Sequence, residues 1–137
     1  MRYSRKRELI MGAVVADGQH PTADKIYKAV RQENPSISLG TVYRNLNQLA
    51  EAGDLLRIPM HGGKDRFDHN TGIHFHLQCM SCGALEDVSQ EVAADIMSLL
   101  ERIRSRTGMT VAPERMQFQG ICRKCAARER QTAVQEN

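Results

Sequence analysis

Four cysteines in two Cys-x-x-Cys pairs, Cys79/Cys82 and Cys122/Cys125, constrain this chain more than any other feature. Each pair can give two thiolates to one tetrahedral ion, and two pairs together close its coordination sphere. Any fold must therefore bring the second pair back beside the first. Gly83 follows the first pair, where a tight knuckle turn favours glycine. Disulfides, a redox pair or a rubredoxin-like iron site are the alternatives to zinc. Nothing marks secretion, because the opening Met1-Arg2-Tyr3-Ser4-Arg5-Lys6-Arg7 has no apolar run behind it. A cytoplasmic chain with reduced thiols is expected, which favours a metal, and zinc fits the spacing best. A site closed by four thiolates has no open position, so it is scaffold and not catalyst.

A length of 137 residues allows one domain or two small lobes, and a small lobe gains from a metal staple. No stretch is long and apolar enough to cross a membrane. The formal charge of +3 is unevenly placed. Up to Gly72 there are eleven Lys/Arg and eight Asp/Glu, and beyond it eight of each. The whole excess thus lies in the first half, starting with Arg2, Arg5, Lys6 and Arg7. That bias points weakly toward a polyanion partner, and a solvated face is the plainer alternative.

Taken in order, Arg5 to Ala16 carries Leu9, Ile10, Ala13 and Val14 at helical spacing, ended by Asp17-Gly18. Thr22 is a helix cap with Asp24 in the first turn, and Ile26, Ala29 and Val30 make an inner stripe. Asn34-Pro35 stops that helix. Ser38 caps a third helix to about Ala52, with Leu39, Val42, Leu46 and Leu49 inward and Gly53 as its stop. Arg44 lies almost opposite that stripe, flanked by Thr41 and Gln48, with Tyr43 and Asn47 at its border. Strands Leu55–Met60 and Lys64–Asp68 around Gly62-Gly63 make a hairpin, and Pro59 confines its strand to an edge. Three helices and a hairpin in this order spell a winged helix-turn-helix. Its third helix would present Tyr43 and Arg44 to bases in the major groove of double-stranded DNA.

A second lobe is expected from Ile73. Strand Ile73–Met80 would turn His74 and His76 to one face and Phe75 to the other, so that two imidazoles can grip one ion. A strand near Ala84–Val88 follows, then a helix from about Glu91 to Arg106 with Val92, Ile96, Leu99, Leu100 and Ile103 on its apolar face. Met109–Val111 and Met116–Ile121 read as further strand. The polar tail from Ala126 reads as fraying. The fold class expected is α+β: a winged helix over 1–69, a hinge at 70–73, and over 74–137 a small α/β dimerisation lobe with an antiparallel sheet and a four-cysteine zinc site.

His20-Pro-Thr-Ala-Asp-Lys-Ile-Tyr, Thr41-Val-Tyr-Arg-Asn-Leu, Arg66-Phe-Asp68, His74-Phe-His76 and the two cysteine knuckles, taken together, resemble the ferric uptake regulator family. The likeness covers essentially the whole chain and is strongest to the peroxide-sensing branch. It implies a homodimeric repressor that binds a palindromic operator. It also implies a ferrous or manganous regulatory site between the lobes, held by His20, Asp68, His74, His76 and Asp87. The donor chemistry agrees, since every cysteine is committed to the knuckles and nitrogen with oxygen suits Fe(II) or Mn(II). An ion gripping both lobes would convert metal binding into DNA affinity.

Each ligand has a plainer reading. It makes His20 a helix lead-in, Asp68 a turn residue, and the His74/His76 pair half-buried strand polar groups. Asp87 competes with Glu86, since strand register decides which faces inward. His61 and His69 fit no motif. By the resemblance, Asp68 in place of glutamate accompanies peroxide sensing, with oxygen gained by His20 or His74. Three departures stand out. Family members typically carry another helix ahead of the segment beginning at Arg2. A second inter-lobe metal site would need donors where Ile73, Phe75 and Glu114 stand, so none is expected. Arg44 after Tyr43 matches iron-uptake regulators, where peroxide sensors often carry Asn. An iron-responsive repressor is the near alternative and a non-haem metalloenzyme the distant one, although no substrate pocket is legible.

Overall fold

A computed structural model describes residues 4–136, so Arg2 of the basic N-terminal run lies outside the described residues. The chain divides into two units, Met1–Gly72 and Ile73–Asn137. The first contains α1 (Arg5–Asp17), α2 (Ala23–Val30), α3 (Leu39–Glu51), β1 (Leu56–Ile58) and β2 (Arg66–Asp68).

Short polar side chains set where these helices start. Ser4, Thr22 and Ser38 each accept a backbone N–H three residues on, which satisfies one of the donors a helix start leaves open. Gly18, at φ 67°, closes α1 in the left-handed conformation that glycine adopts without steric cost. The three helices bury one core in which Ile10, Val14, Ile26, Val42, Leu46 and Leu49 are all at most 1% exposed. On α2 the buried stripe is Ala23, Ile26 and Val30. Ala29, expected inside, falls off that stripe and is exposed, and Leu39 is only partly buried.

The hairpin is shorter than its sequence suggested. β1 and β2 pair antiparallel with Leu56 opposite Asp68, Arg57 opposite Phe67 and Ile58 opposite Arg66. Pro59 has no N–H to continue the ladder, and β1 ends at Ile58. The approach to α2 lies along β2: Thr22 bridges Arg66, and the Phe67 N–H donates to the Pro21 carbonyl at 2.9 Å. This unit is a winged helix-turn-helix.

The second unit holds β3 (His76–Cys79), β4 (Leu85–Asp87), α4 (Gln90–Thr107), a 3-10 turn (Pro113–Arg115), β5 (Phe118–Gly120) and α5 (Arg123–Glu136). The sheet order is β4-β3-β5, antiparallel between β3 and β4 and parallel between β3 and β5. Several expectations need correction. The first strand starts at His76, so Ile73 to Phe75 precede it. Phe75 is fully buried and meets Phe118 edge to face, while His76 is also buried, so the two neighbours do not split between an inner and an outer face. Met109–Val111 is not strand, and β5 shrinks to three residues behind the turn that Pro113 opens. The tail is helical within the described residues. Its Ala, Arg, Glu and Gln are good helix formers, and they extend α5 from the second knuckle.

Helix α4 is capped by Ser89 and ended by Gly108 at φ 75°. Of its expected apolar face only Leu100 is buried, while Val92 and Leu99 are 48% and 51% exposed. Ile73, Met97 and Met109 are exposed as well. Among the described residues, no helix is long and apolar enough to cross a membrane.

Candidate metal centres and nucleic-acid interface

Cys79 ends β3, Cys82 follows in the turn, and the parallel pairing of β5 with β3 sets Gly120 opposite Cys79. That pairing delivers Cys122 and Cys125 to the first knuckle. One sulfur from each of the four cysteines lies within 4.8 Å of the others. Cys82 Sγ and Cys122 Sγ are 3.8 Å apart, which is about the edge of a tetrahedron built on ~2.3 Å zinc–sulfur bonds. The backbone prepares the charge. N–H groups of Cys122 and Cys82 point at Cys79 Sγ from 3.3 and 3.5 Å. They pull the Cys79 thiol down to about 6. Cys125 moves the other way, to about 11: a Ser81 hydrogen bond lowers it, but the Cys122 thiol, burial and the other two thiols outweigh that bond. Four sulfurs at this spacing compete for protons, and a dication removes the competition by holding all four as thiolates. The donor set fits zinc.

The nitrogen and oxygen donors form a pair within each unit. In the first, His20 Nε2 is 3.2 Å from Asp68 Oδ2, and both side chains are about nine-tenths buried, at 11% and 8% exposure. His20 is the one non-glycine residue among those described with positive φ, at 56°, a conformation that is uncommon outside glycine. The run Pro21–Thr22 along β2 holds it there. Asp68 Oδ1 accepts the Asn70 N–H at 2.9 Å, which turns Oδ2 toward His20.

In the second unit, strand register sets His76 opposite Asp87 and Leu77 opposite Glu86. Residues directly opposite share a face, so Asp87 and not Glu86 reaches His76, at 3.2 Å from Nε2. The His74 ring lies 4.5 Å from that of His76, edge to face, although His74 precedes the strand. Both pairs offer the donors that hard divalent Fe or Mn prefers. His61 and His69 are exposed.

On α3, Arg44 is exposed and its Nη2 donates to Thr41 Oγ1 at 3.4 Å. Thr41 Oγ1 is also 2.8 Å from the Ser38 hydroxyl, so Thr41 belongs to the helix cap as much as to the outer face. Tyr43 packs partly against the core. Asn47 accepts from Arg57 on β1 at 2.9 Å. Arg57 escaped the sequence reading, and its one signal there was a cation on the strand straight after the exposed helix. Arg7 ties the other border, donating to Asn45 and Gln48 from α1.

A winged helix-turn-helix followed by a small α/β unit closed by a four-cysteine knuckle is the build of a metal-binding transcription regulator. A sequence model of the ferric uptake regulator family matches residues 1–119, and the chain belongs to that family. It is 31% identical over 125 residues to the peroxide-responsive repressor PerR of Staphylococcus saprophyticus, covering 91% of this chain and 82% of that protein. Among solved structures it is similar to the Campylobacter jejuni peroxide stress regulator, with TM-score 0.71, 31% identity and 88% of each chain covered. It is also similar to the Vibrio cholerae ferric uptake regulator, with TM-score 0.70, 28% identity, and 89% of this chain and 92% of that one covered. The chain is thus a metal-responsive DNA-binding repressor and not an enzyme.

Proposed function

We propose that this protein is a cytoplasmic, homodimeric repressor that releases a palindromic operator when hydrogen peroxide oxidises one of its own histidines. The regulatory ion would be Fe(II) or Mn(II), with His20, Asp68, His74, His76 and Asp87 as its donors. The observation that carries the reading is Asp68, a nearly buried carboxylate facing His20, in a chain 31% identical to a peroxide-responsive repressor. Bound there, ferrous ion would supply the electron that starts peroxide cleavage. Over the whole reaction the ring of His20 or His74 would give up two electrons and gain one oxygen at a C–H carbon, while the other peroxide oxygen leaves as water. The modified ring would be a poorer donor, the grip on the ion would weaken, and operator affinity would fall. Mn(II) on the same donors would lack that chemistry, so its complex should resist peroxide.

Exposed Val92, Leu99, Met97 and Met109 supply apolar surface of the kind a second copy would cover. Tyr43 and Arg44 face the bases, with Thr41 and Asn47 beside them. The second reading, an iron-responsive repressor, is favoured by Arg44 after Tyr43. One experiment separates them. Fe(II)- and Mn(II)-loaded protein is treated with peroxide, then tested for operator binding and for added oxygen by mass spectrometry. Loss of binding in the Fe(II) form alone, with oxygen on His20 or His74, supports peroxide sensing. Retained binding without oxidation leaves the iron regulator.

A further inference from the structure

Arg57 on β1 joins three pieces of the winged helix. Its Nη1 donates to Asn47 Oδ1 on α3 at 2.9 Å, and its Nε donates to Asp65 Oδ2, ahead of β2, at 2.7 Å. Asp65 Oδ1 in turn accepts the Met60 N–H at 3.4 Å. Opposite Arg57 in the ladder is Phe67, which is 1% exposed, so the strand pair carrying the guanidinium is rooted in the core. An isolated surface ion pair contributes little. This one differs in that a single planar fork spans the exposed helix and both sides of the wing turn, and a guanidinium can hold two acceptors in fixed geometry where an ammonium cannot.

The chemistry also fixes Asn47. Arginine has only donors, so the carboxamide atom facing Arg57 must be the oxygen. Oδ1 keeps a second lone pair, and Nδ2 keeps its donors, both now held in one orientation by the Arg57 contact. Asparagine reads adenine in bidentate fashion by pairing its oxygen with N6 and its nitrogen with N7. A carboxamide fixed in this way meets a base edge in one geometry, where a free one would sample several.

Resting on the DNA-binding reading above, we propose that Arg57 is a positioning residue for sequence recognition: it locks the wing to α3 and holds the Asn47 carboxamide in one orientation for the major groove. Asp65 is its anchor. The proposal concerns discrimination between sequences, whereas a phosphate contact would strengthen all DNA alike.

The test begins with a palindromic duplex selected from a random-sequence pool by Mn(II)-loaded wild-type protein. Affinity for that duplex and for a random duplex of equal length is then measured across a salt series. Wild type is compared with Asp65→Ala, Arg57→Lys and Arg57→Gln, with zinc content and melting temperature as the check on folding. Asp65→Ala keeps the Arg57 charge and removes its anchor. The ratio of selected to random affinity should fall by about tenfold, with random-duplex affinity and salt slope held. Arg57→Lys should do the same, because an ammonium on a flexible stem lacks the rigid fork that holds both oxygens in one geometry. A wild-type ratio in both Asp65→Ala and Arg57→Lys would overturn the proposal. So would an Arg57→Gln loss equal on both duplexes with a salt slope reduced by about one, the mark of a phosphate contact. If wild type enriches no sequence, the DNA-reading assignment itself falls and this one with it.

Discussion

The two oxygens of Asp68 are already differentiated, one accepting the Asn70 N–H at 2.9 Å and the other facing His20 at 3.2 Å. Glutamate carries the same charge and donors with one more methylene, so Asp68→Glu should still complete the proposed regulatory site. The longer arm changes reach and denticity, and with them the position left for peroxide. Metal-dependent operator binding should survive in this variant while peroxide inactivation of its Fe(II) form slows sharply, which a gel-shift time course would measure. Unchanged inactivation kinetics would remove Asp68 from the sensing role. Arg44 is a separate matter. It is exposed on α3, and Thr41 Oγ1 holds its Nη2 only loosely, at 3.4 Å. Arg44→Ala should lose ~1–3 kcal/mol on the selected operator and relax discrimination, with metal affinity unchanged. Equal losses on random DNA would make Arg44 a phosphate contact.

Helices α1 to α4 were legible in the sequence because their ends are written in single residues, whereas α5 reads there as a fraying tail. Thr22, Ser38 and Gly18 cap or close their helices as local chemistry requires. Strands were less legible, since their extent depends on partners distant in sequence. Ile73 to Phe75 and Met109 to Val111 have strand composition, but the ladders stop short of them. The choice between Asp87 and Glu86 likewise needed the register, which sequence alone cannot supply. His20 at φ 56° and the Arg57 bridge arise from contacts across the unit and left no local pattern. The cap on α3 gives a direct test of the legible part. Ser38→Ala removes the acceptor for the Thr41 N–H, now 3.1 Å away, and the hydroxyl that holds Thr41 Oγ1 at 2.8 Å. Stability should fall by ~1 kcal/mol, seen as a lower urea midpoint at constant slope. An unchanged midpoint would mean that water or a neighbour replaces the cap.

Most helical side chains of the second unit leave the core thin: on α4 only Leu100 is buried, against 48% and 51% exposure at Val92 and Leu99. A unit of this size cannot hold itself on so little apolar burial, and the cysteine knuckle supplies what the core lacks. Zinc bound by four thiolates can contribute on the order of 10 kcal/mol to folding a small metal domain. Held by these cysteines it would join the end of β3 to the segment after β5 and the start of α5, so its loss should disorganise the sheet as well as the knuckle. Helix α4, which follows β4 of that sheet, carries Val92, Met97 and Leu99, exposed apolar residues assigned to the second copy, and this links zinc to dimerisation. Cys125→Ser, or prolonged chelation of the wild type, should therefore release zinc and shift sedimentation from dimer toward monomer. DNA affinity should then fall even with Mn(II) in excess. Cys125 is the informative position, being buried at 3% exposure and placed among the other three sulfurs. A Cys125→Ser protein that keeps one zinc per chain and sediments as a dimer would separate the knuckle from the assembly. The exposed face of α4 would then have to hold the dimer without it.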